Sequence, residues 1–115
     1  MLLNFDAMET TVIPRMRGGE KELSAKMYTD PQNKIMRGTL VPGASIGLHT
    51  HETGSELIYI LSGAGKVLCD GETETLSAGS CHYCPMGHTH SLINDSPEGG
   101  QDLCFLAVIG EHGRA

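Results

Sequence analysis

GASIGLHTHETGSELIYILSG, running from Gly43 to Gly63, is the stretch on which the fold turns. His49 and His51 stand one residue apart, so on an extended strand both imidazoles point to the same face. A helix making the same chelate would need a four-residue spacing. Glu52-Thr53-Gly54-Ser55 reads as a polar turn, after which Glu56 opens a second run, so one strand offers two donors and the next a third. Downstream, GSCHYCPMGHTHSLIN from Gly79 to Asn94 carries His90 beyond a turn marked by Pro85 and Gly87. Three imidazoles and a carboxylate suit one divalent transition metal, Mn, Fe, Co, Ni, Cu or Zn, and leave up to two positions open on an octahedral ion.

Outward from this stretch the chain is a succession of short alternating runs broken by turn residues. Strands are expected at Thr11–Ile13, Lys21–Tyr28, Lys34–Val41, Ile46–His51, Glu56–Ser62, Lys66–Asp70, Glu72–Leu76, Ser80–Cys84, His90–Asn94 and Leu103–Ile109. Asp70-Gly71 is a two-residue hairpin signal, and Asp95–Gln101 reads as an exposed loop. No segment has a convincing helical period. So many strands in 115 residues must close as a sandwich or barrel, within a single domain. The expected parts are an amino-terminal segment over residues 1–20, a barrel over 21–110 and a frayed tail over 111–115.

Strand parity also predicts a partner. If Glu56, Ile58 and Ile60 face inward, Leu57, Tyr59 and Leu61 face outward and need a cover. That cover is either the amino-terminal segment or the same face of a second copy, so a homodimer is expected, with the amino-terminal strand as a contact element.

In spacing, the two stretches are G-x5-H-x-H-x4-E-x6-G and G-x5-P-x-G-x2-H-x3-N. They resemble the two motifs of the cupin superfamily, with every defining position present. The resemblance implies an all-β double-stranded β-helix, a jelly-roll-like barrel of the small single-domain bacterial type. It also implies His49, His51, Glu56 and His90 as metal ligands in the barrel mouth.

Other residues compete for roles. His82, on a strand leading toward the pocket, is a candidate general base or a partner holding a ligand in place. Tyr83 beside it is a second proton-transfer candidate. His88 shares an H-x-H with His90 but adjoins the turn and is expected in solvent. Asn94 is expected to bond backbone rather than metal. Arg37 is read either as a carboxylate-binding group or as a surface residue. Cys81 and Cys84 form a C-x-x-C, yet residues three apart on a strand face opposite sides, so they are not expected to share a bond or an ion. All four cysteines are expected to act as small buried hydrophobes rather than as a disulfide framework.

Eight basic against 14 acidic residues, with no basic cluster, exclude a nucleic-acid backbone as partner. No apolar run is long enough for a membrane span. Met1–Asp6 lacks a basic flank and a cleavage site, so the cytoplasm is the expected location. Cupins serve many reactions. The leading expectation is an enzyme acting on a small oxygen-rich metabolite, a keto acid, sugar acid or diketone, by metal-assisted proton transfer, isomerisation or dioxygenation. The alternative is a non-catalytic module binding a small carboxylate or sugar. Oxalate decarboxylases of the family carry an arginine near the first H-x-H. The absence of Arg and Lys between Gly43 and Gly63 counts against that reaction.

Overall fold

The computed structural model describes residues 1–113. The alternating runs form ten strands: β1 (Thr11–Pro14), β2 (Glu22–Thr29), β3 (Asn33–Leu40), β4 (Ser45–Thr50), β5 (Gly54–Ser62), β6 (Ala64–Cys69), β7 (Glu72–Ser77), β8 (Cys81–Cys84), β9 (Thr89–Ile93) and β10 (Leu103–Glu111). One sheet has the order β1-β2-β3-β10-β5-β8 and the other β4-β9-β6-β7. Every pairing is antiparallel. The fold is an all-β jelly-roll barrel.

Alternation along each strand fills the space between the sheets. Leu23, Leu40, Ile60, Val67, Leu103 and Phe105 are fully buried there, and each such side chain contributes roughly 1.5–3 kcal/mol by leaving water. The β6–β7 hairpin turns on Asp70 and Gly71, at φ 52° and 82°. Positive φ at both positions matches the right-handed twist of the flanking strands.

Two local features aim the fold at one end of the barrel. The β4–β9 register slips between Ile46 and His49, and the slip sets His49 directly across from His90. Gly47 and Gly19 leave bare backbone where a one-turn 3-10 helix, Met16–Gly18, lies against β4. A Cβ on Gly47 would collide with the Arg17 carbonyl, and one on Gly19 with that of Ser45. The close approach brings Met16 and Arg17 to the barrel mouth.

The outward face of β5 is as parity predicts: Leu57, Tyr59 and Leu61 are 37%, 41% and 44% exposed. The amino-terminal segment does not cover them. β1 pairs with β2 at the opposite edge of the sheet, and a one-turn helix, Phe5–Ala7, reaches only as far as Arg37 on β3. There Asp6 pairs with the Arg37 guanidinium at 2.7 Å and the Phe5 ring lies 5.7 Å from it. Arg37 is therefore the surface residue of its two readings. The tail is held at its start, because the Thr53 hydroxyl donates to Glu111 at 2.6 Å and His112 bonds Ser55 at 2.7 Å. The last two residues of the expected tail, Arg114 and Ala115, lie outside the described residues.

Candidate metal centre

His49 on β4, His51 one residue past its end, Glu56 on β5 and His90 on β9 converge from both sheets. His90 is 1% exposed, Glu56 6% and His51 8%. The Nε2 atoms of His51 and His90 are 3.0 Å apart, and those of His90 and His49 are 3.1 Å apart. Glu56 Oε1 lies 2.9 Å from His90 Nε2 and 3.1 Å from His51 Nε2, but 4.0 Å from His49 Nε2. Donors about 2.1 Å from an octahedral ion would be about 3.0 Å apart at neighbouring corners and about 4.2 Å apart at opposite ones. These spacings suit four side chains that would hold one ion between them, which on an octahedral ion would leave up to two positions for other ligands.

Hydrogen bonds behind the donors orient them. His49 Nδ1 donates to the Gly47 carbonyl at 2.7 Å, so in the neutral ring the Nε2 lone pair faces the centre. Behind His90 the partner is another imidazole: His90 Nδ1 lies 3.0 Å from His82 Nε2, and His82 Nδ1 lies 2.7 Å from Glu74 Oε1. With the Glu74 carboxylate accepting from His82, His82 is left to accept from His90, and the neutral His90 ring also turns a lone pair inward. Imidazole lone pairs turned toward one another and a carboxylate repel unless a cation or protons lie between them. The donor set fits a divalent transition metal.

Ionisation follows the same logic. Burial would raise the Glu56 carboxyl, but in the metal-free chain, where protons take the place of an ion, hydrogen bonds from His51 and His90 outweigh it and hold the group at about 2. Burial pushes His49 below its usual 6.5. Both folded values lie below the unfolded ones, so the unfolded chain binds more protons and acidification destabilises the fold. The metal-stripped protein is expected to lose stability first as pH falls below 6.5, through His49. A second loss follows between 4.5 and about 2, through Glu56. Denaturant midpoints across this range check it, and a flat profile above pH 4 would contradict the placement of His49.

A cavity of about 30 Å³ is lined by all four donors, by Leu23, Met36, Ile46 and Ile58, and at its rim by Arg17 and Lys34. One water needs on the order of 10–15 Å³, so the space suits about two small groups. Among the described residues, Arg17 and Lys34 are the titratable side chains lining it besides the donors. Neither was signalled by the motifs, since both lie outside them. Glu74 was likewise illegible, because nothing in β7 marks it as the residue opposite His82.

The remaining candidates fall elsewhere. His82 is 2% exposed and stands behind His90, outside the cavity lining. Tyr83 is 59% exposed on the outer face, next to Leu57 in the β5–β8 ladder. His88 is exposed and bonds Asp70. Asn94 is fully buried and serves backbone: its Nδ2 donates to Leu40 and Gln101 at 2.8 and 2.9 Å, and its Oδ1 accepts from Ser96 at 3.1 Å. The cysteines depart from expectation in part. Cys84 is buried and Cys81 exposed, which separates the C-x-x-C as parity requires, but Cys81 is no core residue, and Cys69 and Cys104 are only half-buried.

The Cupin domain family profile matches residues 36–107. An oxalate-binding protein of Thermotoga maritima is 38% identical over 103 residues, which cover 84% of this chain and 83% of that protein. The crystal structure of a protein described as a predicted oxalate decarboxylase from the same organism superimposes with a TM-score of 0.88 at 32% identity, covering 96% of this chain and 99% of that one. KdgF from Halomonas sp. shares the fold at a TM-score of 0.68 and 22% identity, covering 78% of this chain and 79% of its own.

Proposed function

This chain belongs to the cupin family, and on that premise we propose that it is a metal-dependent binding protein for a small chelating carboxylate of the oxalate class. The observation that carries the reading is the convergence of His49, His51, Glu56 and His90 on a cavity whose lining also holds Arg17 and Lys34. A ligand with two oxygens in one short bite would take the positions that four protein donors leave on an octahedral ion. When bound, the ion supplies a Lewis-acidic centre for carboxylate oxygen. Arg17 and Lys34 at the rim offset the ligand's negative charge. The name of the Thermotoga maritima relative points to the same ligand class.

Binding rather than turnover is favoured because the side chains expected to move a proton do not face the cavity. His82 instead orients His90, and Tyr83 faces outward. Purified protein loaded with Mn, Fe, Co, Ni, Cu or Zn in turn is expected to leave oxalate, keto acids, uronates and diketones chemically unchanged. Oxalate should raise its melting temperature by several degrees, while acetate, with one carboxylate, should raise it little. Lys34→Ala should shrink the oxalate shift. Turnover of any of these compounds by a metal-loaded form would replace the binding reading with the enzymatic one.

Leu57, Tyr59, Leu61 and Tyr83 form an apolar outer patch across β5 and β8. A second copy meeting it by the same face makes a homodimer, the commonest closed arrangement. Sedimentation is expected to show dimer at micromolar concentration, and monomer alone would contradict it. A cytoplasmic location is supported by the four free thiols. Among the described residues no helix is long and apolar enough to cross a membrane.

A further inference from the structure

The thiols that the C-x-x-C spacing separates are brought together differently. Cys69 ends β6 and Cys84 ends β8, strands of different sheets. Their sulfurs and a ring nitrogen of His82 lie within 4.8 Å of one another. Register explains the meeting, since Cys69 stands opposite His90 in the β6–β9 ladder and Cys84 opposite Glu56 in the β5–β8 ladder. Each thiol thus neighbours a donor of the first centre, and the group sits behind it, across the His90–His82 contact.

We propose that Cys69, His82 and Cys84 form a second metal site, for a thiophilic ion of the zinc class, behind the His49–His51–Glu56–His90 centre. Two sulfurs and an imidazole nitrogen are a zinc donor set of the kind that leaves a fourth position to water. The thiols lack strong competing partners. Among the described residues, Cys84 Sγ reaches the Pro85 and His88 carbonyls at 3.9 and 3.6 Å, Cys69 Sγ reaches Asp70 at 3.8 Å, and the two thiols bond each other. The surroundings are anionic. Burial first, then the nearby carboxylates of Asp70 and Glu74, push the Cys69 thiol up. Burial, the Cys69 sulfur and the carboxylates of Glu56 and Asp70 push Cys84 up to about 12. On binding, each thiol releases its proton to solvent as its sulfur takes the ion, and His82 gives up its hydrogen bond to Glu74 or to His90, so an ion here loosens the hold on His90.

Cobalt(II) reads this site apart from the first, because thiolate-to-cobalt charge transfer gives near-ultraviolet absorption that imidazole and carboxylate donors do not. Titration of reduced, metal-stripped protein is expected to develop this absorption to the intensity of one sulfur-bound cobalt per chain, and zinc should bleach it. His51→Ala, which removes a donor of the first centre, should keep it. Cys69→Ser, at a half-buried position, and Cys84→Ser should each lose it, and Cys81→Ser should not. Zinc bound per chain should fall from two to one in the Cys69→Ser protein, with circular dichroism reporting that its fold is kept. Absence of sulfur charge transfer in the parent would overturn the site, as would its persistence in both Cys69→Ser and Cys84→Ser.

Discussion

His51→Ala is expected to empty the His49–His51–Glu56–His90 centre, leaving at most the ion held by sulfur, while leaving the barrel folded. His51 follows the last residue of β4, its N–H donates to the His88 carbonyl at 3.2 Å, and its side chain lines the cavity. Its removal takes one of four protein donors and one of the two hydrogen bonds that hold Glu56 ionised. The loss of affinity should exceed the roughly 10–100-fold that removal of an outer partner costs. Metal also stabilises by mass action, by about 2.7 kcal/mol at a hundredfold excess over Kd, worth several degrees of melting temperature in a domain this small. That increment should vanish in the variant. Elemental analysis and melting curves with and without added ion check both effects, and unchanged metal content would remove His51 from the site.

The second large effect is expected behind His90. Glu74→Ala should weaken the first metal about tenfold and His82→Ala toward the upper end of the roughly 10–100-fold range for outer partners of a ligating imidazole. The two act through one chain, because Glu74 fixes the His82 tautomer and His82 fixes that of His90. Their effects should therefore be less than additive in the double variant. Glu74→Gln keeps an oxygen acceptor facing His82 and should recover most of the affinity. The Glu74 side chain is 48% exposed, so its truncation leaves no buried void and the effect is not one of packing. Competition against a metal-binding dye measures it, and parent-like affinity in both Glu74→Ala and His82→Ala would remove the chain from the account.

The legible part of this molecule is the part written in periods of two. Strand parity alone placed Ile58 and Ile60 inward and Leu57, Tyr59 and Leu61 outward, because the pleat leaves no third direction. The His49–His51 pair was legible for the same reason, and Asn94 because an amide four residues after His90, one past the end of its strand, has backbone to satisfy. What escaped depends on contacts between strands distant in sequence. Glu74 meets His82, and Cys69 meets Cys84, only after β7 and β8, or β6 and β8, are brought alongside. The cavity rim escaped for another reason. Arg17 reaches it through a 3-10 turn with positive φ at Arg15 and Arg17, where no hydrophobic period runs. Of the two covers that parity allows, the amino-terminal segment does not serve within one chain, because β1 pairs with β2 at the far edge of the sheet from the apolar patch.

Calorimetric titration of oxalate into the metal-loaded and the metal-stripped protein decides whether the ligand sits on the ion. One oxalate should bind saturably to each metal-loaded chain and none to the stripped chain or to metal-treated His51→Ala. Equal binding with and without metal, or no binding with any of the six ions, would contradict it.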